Sequence, residues 1–96
     1  MVKYYVVGRL EKDGCGYDYP ETGTSVRFLY DVEKLPYLGC WITAGGYRGD
    51  KNCALEPSTG YYDSVGRARQ INGSCPEIKP GESFCFTIML EVDRMK

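Results

Sequence analysis

Glu56 is the residue whose neighbours best fit it to move a proton. It closes the run Asn52-Cys53-Ala54-Leu55-Glu56 and is followed at once by Pro57. A residue before proline is driven out of the helical region into an extended conformation, and the proline offers no N–H to a ladder. These two effects predict a carboxylate held at the rim of a strand that ends there. Near it in sequence stand the single tryptophan, Trp41, an arginine in a glycine-rich turn, Arg48, and the pair Tyr61 and Tyr62. Tryptophan and tyrosine rings present apolar faces with a polar edge, and a guanidinium is a multiple hydrogen-bond donor. Each residue also has a plainer use: Glu56 as a solvated acid, Trp41 as core packing, Arg48 as a solvated loop residue, and the tyrosines as cover for the end of a sheet.

Metal chemistry is not expected. Histidine is absent, and the five cysteines at 15, 40, 53, 75 and 85 form no C-x-x-C pair. Zinc sites assemble from close-spaced Cys and His ligands, so the thiols read as reduced, buried core residues and no cofactor is implied. Cys40, Cys53 and Cys85 fall in predicted strands and should be slow to react with thiol reagents. Asn72-Gly73-Ser74 matches a glycosylation acceptor and also reads as a turn, which is the reading adopted.

The elements that must position these residues are nearly all strands. Val2 to Val7 is β-branched and aromatic, with Lys3 exposed. Tyr17 to Gly23 reads as irregular or briefly extended, after a loop over Asp13 to Gly16. Ser25 to Tyr30 alternates, Val26, Phe28 and Tyr30 on one face. Tyr37 to Ala44 alternates again, with Leu38, Cys40, Ile42 and Ala44 opposed to Tyr37, Gly39, Trp41 and Thr43. Gly45-Gly46 breaks the period before a turn over Tyr47 to Asp50. The following strand puts Asn52, Ala54 and Glu56 on one side. One short helix is expected between Tyr61 and Gln70, capped by Asp63 or Ser64 and weakened by Gly66. The clearest alternation is the last, where Phe84, Phe86, Ile88, Leu90 and Val92 line one face that should pack against another sheet.

The run Pro36-Tyr37-Leu38-Gly39-Cys40-Trp41, with Glu56-Pro57 at the end of the next strand, resembles the C-terminal part of the galactose mutarotase family, the aldose 1-epimerases. The likeness continues through residues 58–63 and the Lys79-Pro80-Gly81-Glu82 turn, and it covers about the last two-thirds of the chain. It implies a piece of a very large two-sheet sandwich, and it assigns Glu56 as the base that takes the anomeric proton. Trp41, Arg48 and Tyr61 become candidates for binding the sugar. Mutarotation also needs an acid at the ring oxygen, which in the resembling family is a histidine from an upstream segment that has no counterpart here. Tyrosine, with a reference pKa near 10, would be a weaker donor.

At 96 residues the chain suits one domain, residues 1–96, and is far shorter than a complete enzyme of that family. Net charge is -1, from twelve basic and thirteen acidic side chains without long blocks, so neither nucleic acid nor a membrane surface is an expected partner. There is no stretch of about 18 apolar residues and no signal-like leader, and a cytoplasmic location is expected. The fold expected is all-β, a two-layer antiparallel β-sandwich resembling a C-terminal piece of the mutarotase-like supersandwich. The function expected is binding of a sugar or sugar derivative, weak or inactive as an isomerase alone. The other expectation is a small oligomerisation or interaction domain. Exposed sheet edges favour a homo-oligomer, or a separate chain that supplies the missing N-terminal part.

Overall fold

A computed structural model of the chain describes residues 2–60, 64–72 and 76–95. In order the described elements are β1 (Val2–Tyr5), β2 (Cys15–Tyr19), β3 (Thr24–Leu29), β4 (Tyr37–Tyr47), β5 (Asp50–Ser58), α1 (Val65–Asn72) and β6 (Met89–Arg94). The strands form two three-stranded antiparallel sheets, β1-β4-β5 and β2-β3-β6. The all-β, two-sheet architecture expected from the alternations is therefore the one observed. Among the described residues no helix is long and apolar enough to cross a membrane.

β4 is the centre of the first sheet because it is long, apolar and continuous with a tight return. Tyr47 pairs with Asp50 across the two-residue loop Arg48-Gly49, whose φ values of 55° and 75° give the turn that matches strand twist. Of the even-numbered side chains of β4, Leu38 and Cys40 are buried and Ile42 and Ala44 are exposed. Cys53 of β5 raises the pKa of Tyr19 in β2, and Cys40 raises that of Tyr4 within the first sheet. The Tyr30 hydroxyl donates to Cys15 Sγ at 3.7 Å. Burial pushes both partners of that last pair upward in pKa, and the hydrogen bond raises the phenol further while partly offsetting the shift of the thiol. Of these three thiol–phenol neighbourhoods, the one of Tyr19 and Cys53 relates the two sheets. Beside it, Tyr30, Val32 and Leu35 form a small core with Leu10, Cys15 and Phe28.

α1 begins as the capping rule predicts, with Ser64 Oγ accepting from the Arg67 N–H at 3.1 Å. Its Ala68 packs on Tyr37, with Tyr5 alongside, so the helix covers one end of the odd-numbered face of β4. Covered on both sides, Tyr37, Leu38, Gly39 and Cys40 are buried in succession.

Five expectations need correction. β4 does not break at Gly45-Gly46 but runs to Tyr47, with a register shift against β5 between Ala44 and Tyr47. β2 starts at Cys15, inside the expected loop, and takes in Tyr17 to Tyr19 as the briefly extended piece. Its Gly16 serves the ladder by leaving room for the Arg27 side chain, which crosses it to reach the Tyr17 carbonyl and Asp18. β5 does not stop at Glu56 but runs through Pro57, paired with Leu38, to Ser58. The missing N–H is tolerated there because β5 is an edge strand. The final strand starts only at Met89, and its apolar face is uncovered, with Leu90 59% and Val92 64% exposed. These side chains continue the face carrying Val26 and Phe28, but on an outer strand. Cys85 precedes that strand and is exposed, while Cys40 is buried and Cys15 and Cys53 are half-buried; none of the four is in a disulfide.

The consequence is a loose shape. Accessible area is 7353 Å², whereas a compact 10.8 kDa monomer exposes about 5,500 Å². The radius of gyration is 15.5 Å, against about 12.5 Å for a compact chain of this length.

Candidate functional site

The odd-numbered face of β4 gathers a polar and aromatic group around a glycine. Opposite residues in antiparallel strands share a face, so one row is Tyr5, Gly39 and Glu56, and the next is Lys3, Trp41 and Ala54. Because Gly39 has no side chain, its neighbours close over it. A Cβ built there would lie 3.1 Å from Tyr5 Cε1 and 3.3 Å from Glu56 Oε2. The carboxylate and the phenol ring are thereby brought side by side.

Lys3 completes the group. Its Nζ lies 3.5 Å from Glu56 Oε2 and 5.6 Å from the centre of the Tyr5 ring. Both charged side chains are well exposed, Lys3 36% and Glu56 44%. A pair in that environment contributes about 0–1 kcal/mol to stability, so its interest lies in position. Glu56 keeps the face foreseen for it, shared with Ala54 and Asn52, while Pro57 and Ser58 carry the strand past it.

Trp41, partly buried, shares the face one row along from Glu56, about 7 Å away at the backbone. Arg48 does not join the group. It stands exposed at the hairpin tip, six residues along β5 from Glu56, or about 20 Å at strand rise. One monosaccharide cannot touch both. Tyr61 lies outside the described residues, as do Tyr62, Asp63 and Cys75.

Two residues of the group were not singled out from the sequence. The alternation of Val2 to Val7 does place Lys3 and Tyr5 on one face. What it lacks is any mark of the partner, since β1 meets β4 across more than thirty residues of intervening chain.

Elsewhere a concavity of about 360 Å³ opens between the 33–36 turn and the 76–84 segment. Three of its four charged residues are already engaged: Arg9 over the Tyr37 ring, Lys34 Nζ donating to the Cys85 carbonyl at 2.7 Å, and Glu77 paired with Arg69. The Glu56 group is the better-equipped surface for a polyhydroxylated ligand, since it offers an acceptor, a donor and two ring faces in two adjacent rows. Comparison with family models, curated proteins and solved structures finds no match for the chain.

Proposed function

We propose that this chain is a mutarotase-like carbohydrate-binding protein of the cytoplasm that holds a sugar or sugar derivative against Glu56. The observation that carries the reading is the closure of Glu56 and Tyr5 over Gly39 with Lys3 at hand. A carboxylate accepts hydrogen bonds from sugar hydroxyls, an ammonium donates to them, and ring faces meet the C–H side of a pyranose. The resemblance adds the role: Glu56 takes the proton from the anomeric hydroxyl.

Ring opening needs a second event, protonation of the ring oxygen. Tyr5 and Lys3 are the donors within reach of the same ligand, but their reference pKa values, near 10, make them poor acids at neutral pH. The reading is therefore binding with little or no isomerase activity by the chain alone. Polarimetry on freshly dissolved α-glucose or α-galactose tests it, and the expected rate is that of buffer. Any rate above buffer should fall about 100- to 10,000-fold in Glu56→Gln, the usual cost of losing a positioned base. A rate that survives the substitution would remove Glu56 from the mechanism.

The second reading, an interaction domain, is favoured by the uncovered apolar face of the C-terminal segment. Under it the Glu56 group is a solvated surface and sugars leave it unaffected. A separate chain carrying further strands of the sandwich is the partner that the resemblance would supply.

A further inference from the structure

We propose that two copies of this chain pair through the outer edges of their β6 strands, antiparallel about a two-fold axis at Leu90. The pairing would join the two β2-β3-β6 sheets into one of six strands. This inference stands apart from the sugar reading, since it uses neither Glu56 nor its neighbours.

β6 is bonded to β3 on one side, and among the described residues no strand pairs with its other side. Edge strands are normally protected by prolines, bulges, charged side chains (lysines above all) or a covering segment. From Met89 to Arg94 the strand contains no proline or lysine, its charged residues are Glu91, Asp93 and Arg94, and its register with β3 runs without a shift. It presents a straight row of backbone donors and acceptors. Just before it, Phe84, Phe86 and Ile88 are 40–50% exposed, and Leu90 and Val92 more so.

The charge pattern of β6 suits a second copy of the same strand. A two-fold axis normal to a sheet keeps each side chain on its own face, so only residues of the same parity can stand opposite one another. Centring on Val92 sets Glu91 against Asp93, and centring on Glu91 sets that residue against itself; both place like charges together, which is destabilising. Centring on Leu90 sets Glu91 against Met89, Asp93 against Thr87, and Ile88 against Val92. No like charges face each other, and the apolar side chains of the two copies adjoin. The strand thus has a self-complementary pattern in this register, with exposed apolar side chains at Ile88, Leu90 and Val92 to cover.

Sedimentation at low micromolar concentration tests the proposal. The wild-type chain should have twice the monomer mass of 10.8 kDa. Leu90→Lys should sediment as a monomer with an unchanged far-UV spectrum, and Val7→Lys, at a site 90% exposed and remote in sequence, should remain dimeric. A wild-type monomer, or a Leu90→Lys dimer, would overturn it. Should Leu90→Lys fail to fold, hydrogen exchange of the wild-type chain decides. β6 amides that lose protection on dilution support the edge-to-edge dimer, and amides whose exchange is independent of concentration refute it.

Discussion

β4 and β6 carry the same alternation of side chains and meet opposite fates. In β4 the residues from Tyr37 to Cys40 are all buried, Tyr37 under Ala68 of α1 and Gly39 under Tyr5 and Glu56. In β6 every residue is exposed, although its sequence is the more regular of the two. Periodicity specifies that a strand forms and which side chains share a face. Place in the sheet decides what those faces touch: a central strand is flanked by construction, and an edge strand is covered only if something else comes to it.

The largest expected difference between the two strands is in stability. Leu38, 7% exposed on β4, should cost about 2–5 kcal/mol when replaced by alanine, the range for a buried leucine. That is a large share of the roughly 5–15 kcal/mol available to a domain, so Leu38→Ala should approach unfolding. Leu90→Ala, measured in solution dilute enough to dissociate copies, should stay within about 0.5 kcal/mol of wild type, as for most surface changes. Urea titration of both variants reads the contrast, and equal losses would show that β6 is packed within the monomer.

A smaller and more local contrast concerns the thiols. Cys85 is exposed just before β6, whereas Cys40 is buried in β4 and Cys15 sits in a half-buried contact that raises its pKa. Since the thiolate is the reactive form, Cys85 should react with a maleimide first, and Cys40 and Cys15 should follow only as the protein opens. Mass spectrometry of the peptides after brief labelling gives the order. Modification of Cys40 as fast as that of Cys85 would show that the two sheets do not close over β4.

Much of this was legible in the residues. The alternation from Tyr37 to Ala44 marks β4, Ser64 marks the start of α1, and the Val26, Phe28 and Tyr30 face of β3 is as expected. β2 was obscured by its glycines, because nothing in Cys15-Gly16-Tyr17 shows that Arg27 will lie across the gap. The end of β5 was misplaced because Pro57 is a stop signal in a central strand and harmless on an edge, and strand order is a long-range property. The candidate site divides in the same way. Glu56 and Trp41 were legible from local pattern, and the face they share emerges with the β4–β5 hairpin. Lys3 and Tyr5 reach them only through the pairing of β1 with β4.

Binding of a sugar over Gly39 is read by titrating the isotope-labelled protein with an aldose at millimolar concentration and following the amides by NMR. Shifts should be confined to Lys3, Tyr5, Gly39, Trp41 and Glu56. Those shifts should vanish in Gly39→Val, where the new side chain displaces both Tyr5 and the carboxylate, while the amide pattern of β2 and β3 is retained. No shifts with glucose or galactose, or shifts centred on the Arg48 tip, would contradict it.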